Sequence, residues 1–228
     1  MRAPLSIILP TLNAGENLAL TLGALGAGLQ AGLIREVIIS DGGSQDATRA
    51  IAQTAGAIWL GGTSGRGGQL ARGAEWAEGQ WLLFLHADTF LSEDWPDAVL
   101  THMRDHPDKA GYFRLAFRAG GLMPRLVAGW ANLRARRLDL PYGDQGLLIH
   151  RDHYARVGGF ADIPLMEDVA IACALKTALH PLDATAFTSA ERYEAQGWIR
   201  RGARNLVTLT RYLRGADAER LAKAYQKR

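Results

Sequence analysis

Hydrophobic residues fall in short uninterrupted runs, separated by stretches in which they recur every three or four positions. Leu5-Ser6-Ile7-Ile8-Leu9 is such a run, stopped by Pro10, and it reads as a buried strand. Asn13 stands three residues before Glu16, and Leu18, Leu22, Leu25 and Leu29 follow at spacings of four, three and four. That is the pattern of a capped amphipathic helix. Glu36-Val37-Ile38-Ile39-Ser40 repeats the strand signal, and Asp41-Gly42-Gly43-Ser44 leads into Ala47, Ile51, Ala52 and Ala55 at helical spacing. Ala57 to Leu60 is a third short strand. A glycine-rich loop from Gly61 to Gly68 follows, carrying Arg66, and then a helix with Leu70, Ala74 and Ala77. Trp81-Leu82-Leu83-Phe84-Leu85 is the most strand-like run in the chain, and it ends at His86-Ala87-Asp88.

Short continuous strands alternating with helices predict an α/β fold with a mostly parallel sheet covered on both faces. Ligands of such sheets sit at the carboxyl ends of the strands. Pro10 and Thr11, Asp41, and His86 to Asp88 are therefore expected to converge on one edge. Beyond about residue 110 the pattern changes. Tyr112 to Phe117 alternates like a half-exposed strand open to antiparallel pairing, and Leu122 to Arg137 is an amphipathic helix with Leu126, Trp130 and Leu133 on one stripe. The loop Pro141-Tyr142-Gly143-Asp144-Gln145 precedes a strand over 146–149, and Glu167-Asp168 opens an alanine-rich helix. No Ser/Gly/Pro-rich linker divides the halves. A single domain over 1–228 is expected, with a ligand-binding half over 1–109 and an acceptor half over 110–228.

Composition narrows the class. At 228 residues and 48% hydrophobic content, the chain can bury a full core without disulfides or metals. Its one cysteine, Cys173, has no partner within the chain, and no secretory leader pattern is visible, so a cytoplasmic setting is expected. A net charge of +3 is too small an excess to suggest nucleic acid.

The acidic and glycine-rich loops at the strand ends suit a diphosphate-bearing ligand. Concentrated negative charge is met by a divalent cation on a carboxylate, for which Asp88 is the natural ligand, and by a cation such as Arg66. A nucleoside needs a carboxylate or amide, a role open to Asp41 and to backbone near Thr11. An attacking hydroxyl needs a carboxylate base; Asp168 is the candidate, with Glu167 or Asp144 as its neighbour. Taken singly, each of these carboxylates is also a common turn former or helix cap. Their joint placement shifts the balance.

Pro10-Thr11-Leu12-Asn13 with Glu16, Asp41-Gly42-Gly43-Ser44 with Asp46, Arg66-Gly67, His86-Ala87-Asp88, Gly143-Asp144-Gln145 and Glu167-Asp168 resemble, in order and spacing, the family 2 glycosyltransferases of GT-A fold. The resemblance covers residues 5 to 195 and looks most like a small subgroup labelled arsenosugar-type. It implies a Rossmann-like central sheet with helices on both faces and a smaller antiparallel element on the acceptor side. It implies donor binding at Pro10, Thr11, Glu16, Asp41, Arg66, His86 and Asp88, with Mg²⁺ or Mn²⁺ on Asp88. It also implies an acceptor turn at Gly143, Asp144 and Gln145, and Asp168, beside Glu167, as the base of an inverting transfer from a nucleotide-sugar to a small-molecule or lipid-linked hydroxyl.

The chain departs from the family pattern in two places. His86 stands where the metal motif usually has a first Asp, with three readings open: a ligand to a softer ion, a bond to a ribose hydroxyl, or packing. Arg192-Tyr193 only loosely resembles the Gln-x-x-Arg-Trp motif of processive members, and places Arg192 among the acceptor candidates. Rival readings are a nucleotidyltransferase and a non-catalytic nucleotide binder; the first strand lacks the basic glycine-rich loop typical of the former. In the C-terminal helix Arg200, Arg204, Arg211 and Arg214 share one face and Trp198, Leu206, Leu209 and Leu213 the other. Docking of that stripe on its own domain is expected, with peripheral contact to an anionic membrane as the alternative. Cys173 is expected to be buried and inert.

Overall fold

The computed structural model describes residues 3–226. An eight-stranded sheet is built from β1 (Leu5–Thr11), β2 (Ile34–Asp41), β3 (Ile58–Gly61), β4 (Trp81–Phe84), β5 (Thr89–Leu91), β6 (Ala110–Phe117), β7 (Leu147–His150) and β8 (Leu179–Thr188). The first four strands are linked through helices α1 (Gly15–Ala24), α2 (Gly26–Gln30), α3 (Thr48–Thr54) and α4 (Arg66–Trp76). Helix α5 (Trp95–Asp105) follows β5, and α6 (Leu122–Leu138) follows β6. Between β7 and β8 lie α7 (Arg151–Arg156) and α8 (Glu167–Leu175). Then come α9 (Glu191–Gln196), α10 (Trp198–Leu213) and α11 (Ala218–Gln226).

The strand order is β3-β2-β1-β4-β7-β6-β8-β5. β1 pairs in parallel with both β2 and β4, and β2 with β3. The chain leaves β1 toward β2 on one side and returns to β4 on the other, so a crevice opens at the carboxyl ends of β1 and β4. β7 runs antiparallel to β4 and β6, and β5 antiparallel to β8, while β6 and β8 are parallel. The parallel first half and the mixed second half thus share one continuous sheet.

Period-two alternation sorts the strand residues onto two faces. Ile8, Ile38, Leu82, Phe84 and Ile149 point to one side, where they pack with Leu70 of α4 and Val169 of α8. Ile7, Leu9, Ile39, Leu83 and Leu148 point to the other, against Leu18 of α1 and Trp95 of α5. Both faces are buried, which explains why these strands read as unbroken apolar runs. A third cluster, Leu115 and Phe117 with Ala128 and Ala131, seats α6 on β6.

Several local expectations are corrected. The first helix breaks at Leu25, and Leu29 is exposed. Asn13 does not cap that helix: it adopts φ +49° and its side-chain carbonyl accepts from the Gln45 N–H, tying the loop after β1 to the loop after β2. β6 alternates as expected from Phe113 to Phe117, with Arg114 exposed and Leu115 and Phe117 buried under α6, but its first residues, Ala110 to Tyr112, are buried on both faces, and it pairs antiparallel with β7 and parallel with β8. The Leu126, Trp130 and Leu133 stripe of α6 faces solvent; that helix packs inward through Pro124, Ala128, Ala131 and Ala135. The C-terminal stripe divides, with Leu209 buried while Leu206 and Leu213 stay exposed. Cys173 is exposed on α8, and its thiol is pushed up by desolvation, away from the reactive thiolate.

Candidate active site

The carboxyl ends of β1 and β2 are locked together before any ligand arrives. Thr11 and Asp41 are register partners, and Thr11 Oγ1 donates to Asp41 Oδ1 at 2.8 Å. The other Asp41 oxygen accepts the Gly43 and Ser44 N–H groups, each at 2.7 Å, and Ser44 Oγ adds a fourth bond. Burial alone would raise the Asp41 carboxyl, but the bonds from Ser44, Thr11 and Gly43 outweigh it and hold the carboxyl below its ordinary value. Asp41 therefore shapes the loop after β2. Glu16, in the first turn of α1, is exposed beside this loop pair.

Gln69, which the sequence reading passed over, organises the same edge. Its buried amide donates to the carbonyls of Thr11 at 2.7 Å and Ser40 at 2.8 Å, and its oxygen accepts from Gly65. One side chain of α4 thus fixes the ends of two strands and the entry to its own helix. Arg66 is not in the glycine loop but is the first residue of α4. Gly67 explains how α4 sits so close to the 161–163 segment: a Cβ there would lie 2.0 Å from the Ala161 carbonyl oxygen. That glycine serves chain packing, not ligand approach.

Arg66 reaches across to the second half. Its guanidinium lies 3.3 Å from Glu167 Oε1, and Asp168 and Asp88 also bear on it electrostatically. Glu167 is almost fully buried, and burial with Asp168 beside it pushes its carboxyl up to about 7 against the pull of Arg66. Met166, which precedes the pair, holds a left-handed conformation at φ +68°. Such strain in a non-glycine residue costs about 1–3 kcal/mol and persists where the surroundings enforce it. It sets the angle at which Glu167 and Asp168 open α8.

Asp168 lies at the centre of the cluster. Its two oxygens accept the N–H groups of Gly143 and Val169, both at 2.8 Å, so its plane is fixed by backbone. His86, just beyond β4, stands against the same turn: a Cβ on Gly143 would fall 2.4 Å from His86 Nε2. Burial, with Arg66 next to it, lowers the His86 imidazole to about 3 and keeps it neutral, although Asp168 pulls the other way; Arg192 on α9 adds to the lowering. The residues His86, Tyr142, Gly143, Glu167 and Asp168 line one cavity of about 430 Å³, closed below by apolar side chains.

The turn Gly143–Gln145 is a single 3-10 turn. Gln145 is wholly buried beneath it: its amide donates to the Phe113 carbonyl at 3.1 Å and its oxygen accepts from Tyr142 N–H. Its side chain positions the turn and lines neither cavity. Asp144 points the other way, into a cleft of about 450 Å³ between α6 and α10. Burial drives its carboxyl up to about 6, against the opposing charge of Arg134. Arg134, a buried arginine no motif announced, donates to the Leu140 carbonyl and lies 3.4 Å over the Tyr142 ring.

Among the described residues no three His, Cys, Asp or Glu side chains are arranged to hold a metal ion by themselves. Asp88, half-buried just before β5, has among the described residues one long side-chain contact, 3.5 Å from Thr89 Oγ1. A half-buried carboxylate two residues along the chain from a neutral imidazole would suit a divalent ion that also takes phosphate and water oxygens.

A parallel sheet with its loops gathered at one switch point, where a basic residue faces buried carboxylates and an anchored Asp, is the arrangement of an α/β protein that takes its ligand at the carboxyl ends of its strands. The chain matches the family model "Glycosyl transferase family 2" over residues 6–143, and it belongs to that family. No curated protein matches it. Among solved structures, S. aureus TarS superposes with a TM-score of 0.66 at 15% identity, covering 88% of this chain and 39% of that one. Glucosyl-3-phosphoglycerate synthase from Mycobacterium tuberculosis, in complex with Mn²⁺, UDP and glucosyl-3-phosphoglycerate, superposes at 0.60 and 18% identity, covering 90% of this chain and 79% of that one. Mannosyl-3-phosphoglycerate synthase from Rubrobacter xylanophilus does so at 0.60 and 19%, covering 93% and 75%. These likenesses establish a GT-A type fold. No helix among the described residues is long and apolar enough to cross a membrane.

Proposed function

We propose that this chain transfers a sugar from a nucleoside-diphosphate sugar to an acceptor hydroxyl with inversion, in the cytoplasm. One observation carries the reading: Asp168 and Glu167 of α8, Arg66 of α4 and His86 beyond β4, from three separate segments, meet at the carboxyl edge of the parallel strands, with Asp168 held by two backbone N–H groups. The acceptor oxygen attacks the anomeric carbon while its proton passes to the Asp168 carboxylate. The bond from that carbon to the diphosphate oxygen breaks on the opposite face, and its electron pair leaves with the diphosphate. Arg66 faces the leaving charge, and Glu167 holds Arg66 in place.

Pro10, Thr11, Glu16 and the Asp41 loop receive the nucleoside. Asp88, with His86, would hold Mg²⁺ or Mn²⁺, which when bound neutralises charge on the departing diphosphate. The mycobacterial neighbour solved with Mn²⁺ and UDP supports a divalent metal as the cofactor. Gly143, Asp144 and Arg192 border the acceptor side. The acceptor is a small-molecule or lipid-linked hydroxyl, and the exposed apolar residues of α10 support peripheral membrane contact.

The test is Asp168→Asn. Thermal shifts with UDP-sugars and Mn²⁺ should match wild type, while transfer to a panel of hydroxyl acceptors drops by at least a thousandfold. Wild-type turnover in this variant would remove Asp168 from the role. Release of pyrophosphate rather than nucleoside diphosphate would assign the site to a nucleotidyltransferase.

A further inference from the structure

Two helices on the acceptor side turn large apolar residues toward water. On α6, Leu122, Leu126, Trp130 and Leu133 form one row, with Leu126 56% and Trp130 51% exposed. On α10, Ile199, Leu206 and Leu213 recur at intervals of seven and are likewise exposed, Ile199 at 77%. Surface apolar residues scattered singly need no explanation, but two neighbouring rows do. The rows meet at the cleft between the helices, where Trp130 and Leu206 both line the opening.

The charge carried by these two helices has one sign. Arg125, Arg136 and Arg137 on α6 and Arg200, Arg211 and Arg214 on or beside α10 are all exposed. None of them makes an ion pair with a described residue, and neither helix contains Asp or Glu. Pairing this face with the same face of a second copy would set unneutralised arginines against one another. A bilayer interface rich in anionic headgroups offers both complements at once, phosphates for the guanidinium groups and an acyl boundary for Trp130 and the leucines.

We infer that the α6–α10 face docks on an anionic membrane surface and that the cleft between these helices admits an acceptor with a membrane-embedded apolar tail. Tyr142 gives the route. It lines the α6–α10 cleft together with Asp144, and it also lines the catalytic cavity together with Asp168. A tail lying along Trp130 and Leu206 would leave a polar head beside Tyr142, one side chain from the proposed base. The acceptor half of this inference rests on the transferase reading; the docking half stands without it.

Co-sedimentation of the full chain with vesicles tests it. Vesicles of phosphatidylcholine mixed with phosphatidylglycerol should pellet the protein at least tenfold more than phosphatidylcholine alone, and high salt should release it. Leu126→Ser combined with Leu133→Ser and Ile199→Ser, all outside the cleft, should cut pelleting tenfold or more with transfer to a water-soluble acceptor unchanged. Arg136→Glu with Arg211→Glu should do the same. Absence of pelleting on anionic vesicles overturns the docking, even if soluble acceptors are glycosylated. So does a dimer in light scattering that the serine variant converts to monomer, because the face then belongs to a second copy. Pelleting with a donor that yields no transfer to any acceptor would instead sink the transferase reading and the acceptor route with it.

Discussion

Asp144 offers a sharp check on the electrostatics of the α6–α10 cleft. Its carboxyl rises from 3.8 to about 6 because burial outweighs the attraction of Arg134. At about 1.4 kcal/mol per tenfold change in acidity, the charged form is up to about 3 kcal/mol less compatible with the folded chain than with the unfolded one. The folded carboxyl is the weaker acid, so the penalty is absent below about pH 4, grows between about pH 4 and 6, and is complete above that range. Asp144→Asn removes the charge and keeps the shape. Its amide oxygen still faces Arg134, one nitrogen of which, like Asp144 Oδ1, has no hydrogen-bond partner among the described residues. Urea unfolding of both proteins at about pH 4 and about pH 8 reads the effect as a difference of differences, so acid effects common to both cancel. The variant should gain about 2–3 kcal/mol over wild type at the higher pH and about nothing at the lower. An equal loss at both pH values would refute the reasoning, because it would mean that a hydrogen bond of Asp144, not its charge, dominates.

His102 should respond in the opposite direction: its imidazole is buried and lowered to about 4, so stability present above about pH 6.5 is lost as pH falls toward 4, by about 3 kcal/mol. His102→Gln should flatten that slope in the same urea series. Gly143→Ala puts a methyl 2.4 Å from His86 Nε2; since an imidazole can move, the substitution should lower stability by only about 1–3 kcal/mol. Turnover should nonetheless fall tenfold or more, because the turn that orients Asp168 shifts, and unchanged kinetics would contradict the placement of His86. Gln69→Leu leaves the Thr11 and Ser40 carbonyls without their side-chain donor and should destabilise the chain by about 2–4 kcal/mol while weakening thermal shifts by UDP.

Strand positions were legible because both sheet faces are buried, and a doubly buried strand writes itself as an apolar run: Ile7, Ile8 and Leu9 need no partner information to be recognised. The convergence of Thr11, Asp41 and His86 followed from the rule that strand ends share an edge. What could not be read was anything set by the partner of a side chain. Asp41 and Gln145 are polar residues in motif positions, yet one is saturated by its own loop and the other is buried under its own turn. Gln69 and Arg134 sit mid-helix with no local signal, and only the carbonyls they meet, from strands and loops distant in sequence, disclose their work.

Helix direction shows the same limit in a form with consequences. Leu70 and Ala74 of α4 and the Leu126, Trp130 and Leu133 row of α6 carry the same periodic signal, yet the first faces the sheet and the second faces water. The deciding residues are the small ones. α6 sits on β6 through Ala128, Ala131 and Ala135, and small side chains let a helix approach a sheet more closely than leucines do. Once the small face is buried, the large face must point outward, and water gives it no return for the entropy of ordering Trp130 and its neighbours. An outward row of that size, ringed by arginines that make no ion pair with a described residue and opening on the α6–α10 cleft, fits a surface that is covered when the protein works.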